Sequence, residues 1–304
     1  MNVFIIGNGF DLAHKMLTSY DDFHTYLNDK FPNMDSDFMF VPTPVTAPDG
    51  EEYVGEENAA ALLCYLMDDA SNDNWSDFEE ALGRLDLLLC FEDLEEQYDK
   101  DGDRDFWREG YNNEARASDL SFVFRAIKDL FEEWIASVEP AEIKSFAFLN
   151  MIDPENDLFI TFNYTDTLES IYRCNNVVHM HGKIGEDLIV GHNGSLDYSE
   201  KNTSLPNGCF NTLQDIYEGM RKSTEEVLEN HYDEIKPITN CSNIYSIGFS
   251  YSSVDLPYIK TICRLINNDI VWHLNDFGGP KIVNGFKAAI KQCGFTGEFS
   301  TFRI

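Results

Sequence analysis

The chain has 304 residues, 43% of them hydrophobic, and sets 54 acidic against 22 basic side chains for a formal net charge of −32. That length can bury a large core as one α/β domain with an insertion, or as two domains. The charge disfavours nucleic acid as a partner, because phosphate-backbone binding draws on clustered Lys and Arg and no segment concentrates them.

The acidic balance reads as a solvated face that keeps a crowded or oligomeric protein in solution, and a homo-oligomer is expected. No apolar run is long enough to span a bilayer, and Met1 leads straight into a core strand. A cytoplasmic protein without a membrane partner is therefore expected. The seven cysteines (Cys64, Cys90, Cys174, Cys209, Cys241, Cys263 and Cys293) are odd in number, widely spaced and free of any Cys-x-x-Cys pair, as reduced thiols would be.

The chain opens on an apolar strand, Val3-Phe4-Ile5-Ile6, running into Gly7-Asn8-Gly9-Phe10-Asp11. Two glycines after a buried strand permit a tight turn and close backbone approach, and a following helix offers N–H groups to a phosphate. The third glycine of the full dinucleotide fingerprint is missing, so this segment alone reads equally as a simple turn.

Phe23, Tyr26, Leu27 and Phe31 recur at helical spacing over residues 21–31, with Thr18 or Ser19 as N-cap. Pro42, Pro44, Pro48 and Gly50 predict a long loop over residues 33–58. Helical periodicity returns over 59–69 and 75–98, fails through a polar stretch, and resumes over 120–138 and 141–152. Residues 33–152 thus read as a mostly helical insertion. Within it, Asp99-Lys100-Asp101-Gly102-Asp103 has the wrong spacing for an EF-hand, whose glycine stands sixth and whose bidentate Glu stands twelfth.

Strand and helix alternate from there. Strands are expected at 158–162, 177–180, 188–190, 244–247, 270–274 and 299–302, and helices at 165–172, 211–234, 254–266 and 280–293. This is α/β grammar. A doubly wound, mostly parallel, Rossmann-like sheet built from residues 1–32 and 153–304 accounts for all of it.

Ligands of such sheets sit beyond the carboxyl ends of the strands. Four clusters stand there: Gly7 to Asp11, then Asn163-Tyr164-Thr165, then His181-Gly182, and Gly248-Phe249-Ser250 with Asp255 opening the next helix. Each also has a plain structural reading. Asn163 and Thr165 suit helix caps, His181 a turn, Gly248 and Ser250 a loop, and Asp255 a favourable charge at a helix start.

The clusters come in a telling order. Gly7-Asn8-Gly9-Phe10-Asp11-Leu12-Ala13-His14, Thr18-Ser19-Tyr20 with Phe23, Trp75-Ser76-Asp77-Phe78-Glu79, Phe162-Asn163-Tyr164-Thr165, His179-Met180-His181-Gly182, Gly191-His192 and Gly248-Phe249-Ser250 together resemble the AbiH family of bacterial phage-defence proteins. The resemblance runs nearly end to end and includes the insertion. It implies a role in abortive infection, with a phage trigger or a defence partner protein.

That pattern in turn resembles a divergent sirtuin-like domain, which implies NAD as substrate or ligand. By this resemblance Asn163 and His181 take the catalytic positions. Gly7, Asn8, Gly9, Phe10 and Asp11 line the dinucleotide, Gly248 and Ser250 lie toward its adenosine end, and Asp255 joins the cofactor-binding residues. Thr165 stands where sirtuins have Asp. Lys15-Met16-Leu17 stands where AbiH relatives tend to have Gly-Leu-Pro. The paired cysteines of the sirtuin zinc module are absent, so protein deacylation is not expected and no metal is called for.

Breaking the nicotinamide–ribose bond leaves an oxocarbenium-like ribose. Asn163 can position ribose and water, and His181 can accept a proton near neutrality. Two other readings compete with an NAD glycohydrolase. One is a catalytically silent nucleotide sensor that works through partner association. The other is a metal-dependent hydrolase or nuclease using His179, His181 and His192 with a carboxylate.

Overall fold

The structure is a computed structural model that describes residues 1–71, 75–141, 144–198, 206–267 and 269–304. The chain divides into two compact units, one of Met1–Ser19, Ile135–Ile189 and Lys222–Ile304, the other of Tyr20–Trp134 and Val190–Arg221.

The first unit is built on six strands: β1 (Asn2–Ile6), β4 (Leu158–Thr161), β5 (Val177–His179), β6 (Asn243–Ile247), β7 (Val271–Asn275) and β8 (Glu298–Phe302). All neighbours pair in parallel, in the order β5-β4-β1-β6-β7-β8. Renumbered within this sheet the order is 3-2-1-4-5-6, that of doubly wound dinucleotide folds, and its direction reverses between β1 and β6. The expected α/β fold is therefore present, and its main sheet is wholly parallel.

Strand periodicity explains the two covered faces. Val3 and Ile5 join Leu158, Ile160 and Ile244 in one core with α9 (Thr224–Asn230), α10 (Tyr232–Ile235), α11 (Leu256–Leu265) and α12 (Gly279–Gln292). Phe4 and Ile6 turn the other way. They pack with Phe159, Ile247 and residues of α1 (Gly9–Ala13), α6 (Phe146–Leu149) and α7 (Thr167–Tyr172). Phe4 stacks on Phe159 and Tyr245 of the two flanking strands, with centroids 5.2 and 5.0 Å away. Stacked pairs of this kind add roughly 0.5–1.5 kcal/mol each beyond their burial.

The second unit is mostly helical, with α2 (Tyr20–Lys30), α3 (Glu56–Ala70), α4 (Phe78–Leu82), the 32-residue α5 (Phe106–Ser137), which runs on into the first unit, and α8 (Phe210–Gly219). Its centre is aromatic. Phe23 meets Phe78 at 5.8 Å, Phe131 at 5.4 Å and Trp134 at 5.1 Å, and Trp75 stacks on Phe78 at 5.7 Å. The Trp75-to-Glu79 motif is thus a packing element whose Asp77 pairs with Arg84.

Several sequence expectations are corrected. Residues 33–58 hold a small antiparallel hairpin, β2 (Val45–Thr46) with β3 (Glu52–Tyr53), as well as the start of α3. The helix expected over 75–98 is α4 followed by a 3-10 turn, Leu87–Phe91, opened by Asp86 accepting from the Leu88 N–H. The polar stretch before residue 120 is helical from Phe106 onward. Glu109 there is buried at α5's start, accepting from the Arg104 guanidinium and the Gln97 amide. Residues 188–190 form no strand; Ile189 donates only to the His181 carbonyl. The helix expected over 211–234 is split into α8, α9 and α10, and an isolated bridge between Arg221 and His192 marks the first break. The expected 141–152 helix includes residues outside those described; within the remainder, α6 is a single turn capped by Ser145.

Candidate active site

The switch point brings two turns together. The Gly7 amide donates to Ile247 O, the Gly9 amide to Gly248 O and the Phe10 amide to Gly7 O. Gly248 has φ +66°, and a Cβ there would lie 2.2 Å from the Phe10 nitrogen, while one on Gly9 would lie 2.8 Å from the Gly248 Cα. The opening glycines therefore let the β1–α1 and β6–α11 turns meet backbone to backbone. The Gly7, Gly9 and Phe10 N–H groups are spent within the protein.

Asn8 is engaged as well. Its side chain donates to Thr18 O at 2.7 Å and accepts from the Thr18 hydroxyl at 2.6 Å, which pins the turn around Lys15. Lys15 takes φ +64°, the left-handed geometry that a glycine would adopt without strain.

Beside this junction lies a cavity of about 560 Å³, within the range of small-molecule sites. Gly9, Phe10, Gly248 and Ser250 contribute to its wall, as do the apolar side chains of Phe277 and Phe286. His14 also reaches it. Its Nδ1 donates to Phe10 O, and its Nε2 accepts from the Tyr172 hydroxyl, which accepts from the Ser145 amide.

Asp11, Asn163, His181 and Asp255 do not line that cavity. They form a buried polar set at the carboxyl ends of β1, β4 and β5 and at the start of α11. Asp11 is 1% exposed, and its Oδ2 accepts from the Thr165 hydroxyl at 2.6 Å. Burial pushes its carboxyl above the usual range, against the hydrogen bonds of Thr165, Thr167 and Asn163. Asn163 receives a different contact: its backbone carbonyl accepts from His179 Nδ1 at 3.2 Å, while His179 Nε2 reaches Glu169 at 2.9 Å. Glu169 is held low by His179 and Lys183 although its burial acts the other way.

His181 is 3% exposed and ringed by Phe162, Tyr164 and Tyr258. Its imidazole is driven well below the ordinary value, first by burial and then by the Lys222 charge, so at neutral pH it is an unprotonated base. Gly182 makes the turn possible: at φ +74°, a Cβ would fall 2.3 Å from Asp187 O.

Asp11 Oδ1, Asn163 Oδ1, His181 Nε2 and Asp255 Oδ1 are all buried without a hydrogen-bond partner. Native interiors rarely leave such atoms unsatisfied; here three follow the strands β1, β4 and β5 and one opens α11. Three are oxygen acceptors and the fourth is a base, so the set suits a ligand rich in hydroxyl donors.

Two contributors were not foreseen. Lys222 is buried and approaches Asp255 Oδ1 at 3.6 Å; it lies between helices, where no strand end drew attention to it. Asn275 ends β7 and lines the cavity, and its buried Oδ1 makes no hydrogen bond; the strand-end rule applied to β7 would have found it. Among the described residues no group of three or more His, Cys, Asp or Glu is placed to hold a metal ion. His192 has both ring nitrogens engaged, Nδ1 accepting from the Gly194 amide and Nε2 donating to Tyr217 O. Among the described residues no helix is long and apolar enough to cross a membrane.

A family model described as Bacteriophage abortive infection AbiH matches residues 3–276, and the chain belongs to that family. No curated protein and no solved structure matches it.

Proposed function

We propose that this AbiH-family member serves abortive infection by binding NAD in its α/β unit and hydrolysing the nicotinamide–ribose bond. The observation that carries the reading is the set of four buried atoms on Asp11, Asn163, His181 and Asp255 that make no hydrogen bond. A ribose offers hydroxyl donors to such acceptors, and an adenine ring suits a cavity walled by Phe277 and Phe286.

In this reaction the C1′–N bond breaks, its electron pair leaves with nicotinamide, and water adds to the ribose. His181 Nε2 takes the proton that the attacking water or a ribose hydroxyl gives up, which its burial-enforced neutrality permits. Asn163 orients the ribose and water. The test is release of nicotinamide from NAD by the purified protein, with and without infected-cell extract as activator. Loss of turnover in Asn163→Ala and His181→Ala variants that remain folded supports the reading; absence of turnover and of calorimetric NAD binding in every condition overturns it.

One observation favours a second reading, a silent nucleotide sensor. Asn163 and His181 are absent from the wall of the 560 Å³ cavity, so a nucleotide could occupy it without meeting them. NAD-induced stabilisation without turnover, joined to a change in oligomeric state, is the result that reading requires.

A further inference from the structure

His181 Nε2 and Lys222 Nζ converge on one oxygen, Asp255 Oδ1, at 3.7 and 3.6 Å. Neither contact is a hydrogen bond. Asp255 Oδ2 accepts from the Ser252 hydroxyl at 3.1 Å, which fixes the carboxylate's orientation. Lys222 is the one fully buried lysine or arginine among the described residues, in a chain of net charge −32. Buried charges of this kind persist only when paired.

From this geometry we infer that Lys222 is a positioning residue: it neutralises Asp255 so that the carboxylate cannot capture His181 as an ion pair, leaving Nε2 open as the proton acceptor. The inference rests on the catalytic reading of His181 given above.

The alternatives show why a cation is needed. An ionised Asp255 beside His181 with no counter-charge would favour the imidazolium, which has no lone pair to accept a proton. An imidazole next to Lys222 alone would be pushed further toward neutrality. With both present, burial and the Lys222 charge act in the same direction and hold the ring neutral. The other groups facing the ring are the rings of Phe162, Tyr164 and Tyr258 and the Phe162 backbone, whose hydrogen bond acts oppositely to Lys222; a protonated His231 would act in the same direction as Lys222.

The experiment follows the His181 ring by NMR on histidine-labelled full-length protein across a pH series, with the resonance assigned from a His181→Gln variant. Lys222→Met should raise the His181 midpoint by about one pH unit or more. Asp255→Asn should lower it. The double variant Lys222→Met/Asp255→Asn, which removes both charges and strands neither, should return it close to the starting value. Lys222→Arg should leave it near that value.

If Lys222→Met does not fold, the opposite shift in Asp255→Asn and the return in the double variant still decide. A midpoint that stays in place in Asp255→Asn, or that fails to return in the double variant, overturns the inference. These readings need no turnover. A protein that never releases nicotinamide would sink the catalytic reading while the titrations still report on the charge arrangement.

Discussion

Thr165 donates its hydroxyl proton to Asp11 across 154 positions of sequence, at 2.6 Å in a fully buried setting. The contact ties the turn after β1 to the turn after β4, the two elements that present Asp11 and Asn163. Thr165→Val keeps the shape and removes the donor, leaving Asp11 with neither oxygen served by it. A loss of about 1–3 kcal/mol in urea unfolding is expected, the usual cost of stranding a buried polar group.

The same carboxyl gives stability a defined pH dependence. Burial raises the Asp11 pKa in the folded protein above its ordinary value of 3.8, so the native state holds this proton more tightly than the unfolded chain. Its contribution is complete below the unfolded value and is lost as pH rises through the folded one. Asp11→Asn cannot ionise. Its stability relative to the parent should therefore climb as pH rises above about 4, as thermal unfolding across a pH series would measure; a constant difference would contradict the assignment.

Gly248 is expected to be the least replaceable residue of the switch point. Its φ of +66° and the 2.2 Å approach of any Cβ to the Phe10 nitrogen leave no room for even a methyl group. Gly248→Ala should cost about 3 kcal/mol or more, because both the left-handed backbone and the turn contact resist it. Gly219→Ala is the control: a Cβ there meets nothing, and it ends α8, so a change within about 1 kcal/mol is expected, on the stabilising side.

The sheet was legible in the sequence because its central strands β1 and β4 are buried on both faces and read as apolar runs, Val3 to Ile6 and Leu158 to Phe162. The turns after them were legible because glycine and small polar residues interrupt those runs. Two kinds of feature were not. Leu188-Ile189-Val190 has a strand's composition, yet pairing depends on a neighbour that composition cannot supply. Lys222 meets Asp255 from 33 positions away, and a lone lysine in an acidic chain carries no local sign of burial. The meaning of Gly7-Asn8-Gly9 also changed. Its amides and the Asn8 side chain are engaged within the protein, so the motif's first work is to seat the turns.

Lys15 offers a clean measure of backbone strain. It is exposed and left-handed at φ +64°, and such a conformation costs roughly 1–2 kcal/mol for a residue with a Cβ. Lys15→Gly relieves that strain but gives the unfolded chain more freedom, worth roughly 0.5–1 kcal/mol against it. A net gain of up to about 1 kcal/mol is expected, whereas Lys15→Val should lose stability because a β-branched side chain tolerates positive φ least. Chemical denaturation of the pair measures both; a more stable Val variant would mean that the turn is not left-handed in solution.

The cavity and the buried polar set are separable by substitution, and their separation tells binding from chemistry. Ser250 is exposed on the cavity wall, away from His181 and Asn163. Ser250→Trp should fill much of the space with an indole and weaken NAD binding by at least about tenfold, a loss of roughly 1.4 kcal/mol. Its turnover at saturating NAD should be little changed, because the acceptors and the base are untouched. His181→Gln should do the reverse, keeping affinity within a few-fold while turnover disappears. Calorimetry paired with nicotinamide release resolves the two effects. If Ser250→Trp leaves NAD affinity unaltered, the nucleotide does not use this cavity, and the adenine assignment to Phe277 and Phe286 is wrong.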